Sequence, residues 1–288
     1  GAGVLAATWV LALMTGVLGW RGSFELIGGF TFAVVILSWL AVRDRPQDMG
    51  WPPLDRTNGV ATNGGGREKK IPLLTGMRMV LTEKYFWPIA LWYFFDCGIF
   101  FGFGALWGGP YLMHVYDMTR SEAGAILSMI AWGMIVGSPL LSISSDRLLK
   151  SRKKTFIVCT GLLTAELLFL CLFPSGLPAA LLYPIFLVFS VCASAIVVIG
   201  FTTTKELFPL EIAGTSVGMV NFFPFLGGAV YMPLLGRVLD AFPHSTDGAY
   251  ALEAYSLLLL ILLGSAAASL VCTLFMKETY QASHFKTA

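Results

Sequence analysis

The chain has 288 residues, of which 56% are hydrophobic and only 12% charged, with a net charge of +2. A soluble domain carries roughly 25% charged residues, so water is not the main solvent here. The net charge is too small to imply a nucleic-acid partner, and the basic runs lie between apolar stretches, where they act as topology signals.

A bilayer core of about 30 Å takes about 20 helical residues. Apolar stretches of that order occur at 2–19, 24–42, 85–107, 122–142, 155–173, 178–200, 212–238 and 250–276. In lipid each must be a helix, because only helices and closed barrels satisfy the whole backbone, and the short alternating pattern of barrel strands is absent. The fold class is therefore all-α, a polytopic transmembrane bundle of about eight helices. The first stretch starts at Gly1 without a basic leader or cleavage site, which reads as a chain cut at its start.

The loop 43–84 contains Arg43-Asp44-Arg45-Pro46, Trp51-Pro52-Pro53 and a glycine-rich run over 57–66, the composition of a flexible linker. It leaves two spans before it and six after, an asymmetry that a complete two-repeat transporter does not show. Sixteen of the 19 Lys and Arg residues fall in loops on one side, against Arg21, Arg120 and Arg237 on the other. The basic side is cytoplasmic by the positive-inside rule, which puts the 43–84 loop and both chain ends in the cytoplasm.

Asp96 lies near the middle of span 85–107, where an ionised aspartate costs about 2.5–3.5 kcal/mol. It is either a coupling group on an ion or substrate pathway or a protonated acid hydrogen-bonded within the bundle. Gly98, Gly102 and Gly104 come directly after it, and they permit either a helix break with carbonyls free for substrate or close helix packing, as do Gly133/Gly137 and Gly214/Gly218. Glu166 is the second acid at mid-span. Asn221 and Pro224 make span 212–238 another breakable helix, with Asn221 available to hydrogen-bond substrate or a neighbouring helix. At the end of span 122–142, Asp146 can pair with Arg147 or accept N–H groups of the next helix, while Lys150, Arg152, Lys153 and Lys154 hold the turn on the basic side. Such a turn is either a gating latch or a topology signal. The five cysteines lie in apolar stretches without CxxC spacing, and His114, His244 and His284 are isolated in hydrophilic segments and read as solvated. No metal or cofactor is expected.

Four motifs resemble the major facilitator superfamily. Gly19-Trp20-Arg21-Gly22-Ser23-Phe24 resembles the turn between its fifth and sixth helices, and Arg43-Asp44-Arg45-Pro46 resembles the segment just after the sixth. The stretch from Gly137 through Asp146-Arg147 to Arg152-Lys153-Lys154 resembles the turn between the eighth and ninth, although Ser142 stands where glycine is common and the Leu148–Ser151 spacer is longer. Lys205-Glu206-Leu207-Phe208-Pro209 with Gly214, Gly218 and Asn221 resembles the start of the eleventh. The resemblance implies that residues 1–42 are the last two helices of an N-terminal bundle, 43–84 the interdomain loop and 85–288 a C-terminal six-helix bundle, with the first four helices absent from this sequence. It also implies that the span holding Asp96 lines the central cavity and that the span holding Glu166 is peripheral.

The function this implies is secondary active transport of a small organic solute across the inner membrane by alternating access, coupled to protons, with lipid, solute and protons as partners. A drug or metabolite exporter of the same fold and a non-transporting membrane sensor are the alternatives. A membrane enzyme is not expected, because no HExxH, paired carboxylates or nucleophile–base spacing occurs, and no Walker A sequence is present.

Overall fold

The computed structural model describes residues 11–43, 49–50, 71–243 and 248–280. The chain divides into two compact units, one drawn from residues 2–69 and the other from residues 70–286.

In the first unit, α1 (Leu11–Ala41) leaves helical geometry at Gly19, where φ is +69°. Glycine alone adopts that conformation without strain, and the Ser23 hydroxyl donates to the Gly19 carbonyl at 2.8 Å as the helix resumes. The interruption falls inside the turn expected from Gly19-Trp20-Arg21-Gly22-Ser23. Residues 2–10 of the first expected span lie outside the described residues.

The second unit contains α2 (Leu73–Thr82) and six long helices: α3 (Phe86–Val115), α4 (Arg120–Leu148), α5 (Arg152–Leu172), α6 (Ala179–Leu207), α7 (Leu210–Asp240) and α8 (Leu252–Phe275). With the Val17–Ala41 part of α1, seven helices among the described residues are long and apolar enough to cross a membrane. Helix α2 departs from the sequence expectation, in which residues 73–82 are the end of the loop. Its apolar residues fall on one face, and Gly76 and Val80 are buried, with Gly76 against Ile212 and Thr215 of α7.

Local sequence sets the helix starts. Thr119 and Glu122 form a capping box at α4, and the Ser151 hydroxyl accepts from the Lys154 N–H at α5. Helix α3 packs mainly on α7 and α8, α4 on α6, and α5 on α8. Small residues set the closest approaches, as expected where lipid supplies no hydrophobic drive between helices. Tyr231 and Leu235 of α7 press on Gly98 and Gly102 of α3, and Gly227 lies against the Phe94 carbonyl. Gly133 meets Ser190 and the Leu187 carbonyl of α6. Gly214 and Gly218 meet no described atom within 4 Å of a Cβ, so they make no such contact here.

Trp92, Tyr93, Phe103, Tyr111, Phe156, Phe186, Phe189 and Tyr255 fill the core. The outer faces are also apolar, with Leu140, Leu162, Leu172, Leu260 and Leu274 exposed, the pattern of a bundle whose outside meets hydrocarbon.

Candidate functional site

Polar side chains gather at three levels of the six-helix unit. The first is mid-bundle. Trp92, Tyr93, Asp96 and Ile99 lie on one buried stripe of α3, at helical spacing. The Trp92 indole donates to Thr160 Oγ1 of α5 at 2.9 Å, and the Tyr93 hydroxyl donates to the Val197 carbonyl of α6 at 2.9 Å. Between these anchors Asp96 is fully buried, and neither carboxyl oxygen has a hydrogen-bond partner among the described residues. Its electrostatic neighbour is Cys159 of α5. Cys159 interacts electrostatically with Cys192 of α6, and Cys192 feels both Asp96 and Glu166. Glu166 approaches the Phe189 backbone without a hydrogen bond of regular geometry. The two mid-span acids are thus brought around one pair of thiols, in the bundle interior. Asn221 is exposed and is not part of this group.

Of the expected helix breaks, those in α3 differ from what is found. Helix α3 does not break at Gly98; it widens into π-helical turns over Phe100–Trp107, which contain Gly102 and Gly104. Here Tyr231, Leu235 and Phe189 occupy the space a Cβ at Gly98, Gly102 and Gly104 would need, so these glycines serve packing. In α7 the discontinuity lies at Asn221, between helical segments Ala213–Val220 and Phe222–Asp240. Pro224 is helical and buried in the first turn of the second segment. Its ring clashes with the carbonyl four residues back, which is where the preceding segment ends.

The second level is the end of the unit where α4 meets α5. The Arg152 guanidinium is buried and joins Asp146 Oδ1 at 2.5 Å, Ser145 Oγ at 2.9 Å and both carboxylate oxygens of Glu206, at 3.2 and 3.4 Å. Asp146 therefore pairs with Arg152 rather than with Arg147, which is exposed and makes no ion pair among the described residues. The reason is the turn itself: Lys150, at φ +45°, reverses the chain and returns Arg152 over the end of α4. The N–H groups at the start of α5 go to residues other than Asp146. Glu278, just beyond α8, accepts from the Arg152 N–H at 3.0 Å and from the Ser151 hydroxyl. Thr279 Oγ1 donates to Glu206 at 2.6 Å, the Tyr280 hydroxyl donates to the Asp146 carbonyl at 2.7 Å, and Lys153 Nζ donates to the Leu274 carbonyl at 2.6 Å. Burial pushes the Glu278 carboxyl up, but the Ser151 hydroxyl and the N–H groups of Tyr280, Arg152 and Thr279 outweigh it and hold it below the usual glutamate range. This network ties the ends of α4, α5, α6 and α8 together. In the sequence Glu206 stands out only as part of a motif, and Glu278, Thr279 and Tyr280 do not stand out at all. The nearest thing to a signal is the acid Glu278, two residues past the apolar span 250–276.

The third level is the opposite end. His114 is not a solvated loop histidine: its Nδ1 accepts from the Tyr250 N–H at 3.3 Å and lies 3.0 Å from the Tyr255 hydroxyl. Tyr111 donates to the Pro174 carbonyl at 2.6 Å, and Tyr250 to Asp240 at 3.0 Å. His244 and His284 lie outside the described residues.

A family model described as Major Facilitator Superfamily matches residues 1–232 and 89–285. Over 254 residues the chain is 27% identical to the glycerol-3-phosphate transporter of Bacillus subtilis (strain 168), covering 84% of this chain and 55% of that protein. It is 26% identical over 238 residues to the membrane sensor protein UhpC of Escherichia coli (strain K12), covering 79% of this chain and 52% of that protein. The chain spans about half the length of these curated relatives. The crystal structure of a bacterial homolog to the human lysosomal transporter Spinster, inward-facing and unoccupied, is similar with a TM-score of 0.53 and 17% identity, covering 98% of this chain and 64% of that one. At that identity the likeness concerns the fold alone.

Proposed function

Because this chain belongs to the major facilitator superfamily, we propose that it works within a secondary active transporter that moves a small organic solute across the cytoplasmic membrane by alternating access, driven by protons. Residues 1–42 are the last two helices of the N-terminal bundle, 43–84 the interdomain loop and 85–288 the C-terminal bundle. The end carrying Lys84, Arg152, Lys153, Lys154, Lys205 and Lys277 faces the cytoplasm. Arg152, Asp146, Glu206 and Glu278 act there as a latch that holds one bundle arrangement and opens in the other.

The observation that carries the coupling role is Asp96, a carboxyl fully buried at mid-bundle with no hydrogen-bond partner among the described residues. An unsatisfied buried polar group is costly, so a bundle that retains one calls for a reason. A group that gains and loses a proton as the bundle opens explains why it is kept. In the complete transporter, Asp96→Asn removes titration while keeping shape. Exchange of solute down its own gradient survives and accumulation driven by a pH gradient disappears; normal accumulation by the variant would make Asp96 structural.

The substrate class is a small organic solute. A phosphorylated one, such as the first relative's name indicates for that protein, needs cations that the mid-depth of α3 to α8 does not carry. The likeness to a protein described as a membrane sensor favours a second reading, that of a solute sensor retaining the fold. Solute binding without uptake would select it.

A further inference from the structure

On the outside of the six-helix unit, the start of α3 and the end of α8 leave a groove of about 550 Å³. Its walls are apolar: Trp87, Leu91, Val271 and Phe275 are each 40–66% exposed along it. The Trp87 indole donates to the Leu81 carbonyl at 3.1 Å, which fixes its ring where α2 gives way to α3. An amphipathic ring so held belongs at the level of the lipid headgroups.

The mouth of the groove is positive. Lys84 Nζ lies 4.9 Å and Lys277 Nζ 5.4 Å from the centre of the Tyr85 ring, which bounds the separation of the two ammonium groups at about 10 Å. Neither makes an ion pair among the described residues. The neighbouring carboxylates are engaged elsewhere, Glu83 with the Tyr85 N–H and Glu278 with Ser151 and the start of α5. Lys153, on the Leu274 carbonyl, adds a third cation at the last turn of α8.

We propose that this groove binds an anionic phospholipid, with one acyl chain along Trp87, Leu91, Val271 and Phe275 and the phosphate between Lys84 and Lys277. Hydrocarbon walls alone would accept any lipid tail. The uncompensated lysine pair at headgroup level selects a net negative headgroup, because a zwitterionic one brings its own cation to the same place. Basic pockets between membrane helices recognise anionic headgroups in this manner.

The test uses the full chain in phosphatidylcholine bilayers containing, at equal mole fraction, phosphatidylglycerol or phosphatidylcholine with brominated acyl chains, which quench nearby tryptophan. Brominated phosphatidylglycerol is expected to quench more strongly, and the excess to vanish in Trp87→Phe, the reporter. Lys84→Gln and Lys277→Gln each reduce the preference roughly fivefold, the ratio equivalent to about 1 kcal/mol per lysine near an anionic surface. Lys84→Arg and Lys277→Arg retain it, which separates loss of charge from misfolding. Equal quenching by the two lipids overturns the proposal. So does an excess that survives in Trp87→Phe or in the double glutamine variant. An excess removed by inorganic phosphate overturns it as well, since the lysines would then serve a free anion.

Discussion

Replacing Gly227 by alanine tests the packing on which the placement of Asp96 depends. A Cβ there would lie 2.3 Å from the Phe94 carbonyl oxygen and 3.0 Å from the Gly98 nitrogen, both backbone atoms of α3. Non-bonded heavy atoms prefer about 3.5–4.0 Å, so α3 and α7 must separate by about 1 Å, and no rotamer change can relieve the clash. Overpacking costs about 1–3 kcal/mol, and two backbone atoms in the way point to the upper end of that range. Two neighbours on the same helix calibrate the effect. At Gly228 the nearest atom is Phe101 Cδ2 at 3.0 Å, a ring that can swing aside, and at Gly218 no described atom lies within 4 Å. There alanine is neutral or stabilises by up to about 1 kcal/mol through helix propensity. Thermal unfolding of the purified chain in detergent is expected to rank Gly227→Ala well below Gly228→Ala, with Gly218→Ala at or above the parent. If Gly227→Ala melts no lower than Gly218→Ala, the close crossing of α3 and α7 is wrong.

Three further outcomes concern the basic end and its orientation. Glu206→Gln is expected to cost about 3 kcal/mol, as breaking a buried pair does, and Asp146→Asn under about 1 kcal/mol, because their side chains are 13% and 46% exposed; unfolding at low and high salt measures both, and equal losses would refute the ranking. Glu278 has a lowered native pKa, so its contribution is present above the ordinary glutamate value of about 4.3 and is lost as pH falls through the native value; the stability gap between parent and Glu278→Gln closes on acidification below about pH 4, and a gap constant with pH refutes the account. A thiol introduced at Ser175 is expected to react with an impermeant reagent in intact cells and one at Lys150 not to, and the reverse pattern inverts the orientation.

The spans of the six-helix unit are legible because lipid makes hydropathy the dominant signal: where residues must be apolar for about 20 positions, no competing structure satisfies the backbone. Their ends run further than hydropathy indicates, α3 to Val115 and α6 to Leu207, since polar residues such as His114 and Lys205 continue a helix once it leaves hydrocarbon. Helix α2 is hidden because ten residues do not span a membrane and its stability comes from contact with α7. Partner identity is the least legible feature. Arg147 adjoins Asp146 in sequence, but residues one apart on a helical turn do not face each other, and the reversal at Lys150 hands the pairing to Arg152 instead. The tie to Glu278 and Tyr280 depends on how α8 ends in space, which no local pattern encodes. Glycine near Asp96 is ambiguous for a different reason, since breaking a helix and admitting a neighbour require the same missing Cβ.

The mid-bundle acids and the ion-pair network at the basic end are not independent features, because one face of α5 reaches both. Arg152, Cys159 and Glu166 are seven residues apart along α5, which returns each to nearly the same face and sets them about 10 Å apart along the axis. Arg152 holds Asp146 and Glu206 at the helix end, Cys159 lies beside Asp96, and Glu166 shares Cys192 as a neighbour with Asp96. Neither carboxyl oxygen of Asp96 has a hydrogen-bond partner among the described residues, so a charge there is tolerated only if the surrounding helices move to admit water or a partner. Helix α5 packs mainly on α8, and in the proposed cycle a shift of this helix at the depth of Cys159 also moves Arg152. In the proposed cycle the proton at Asp96 and the closure of the basic end are therefore linked through α5.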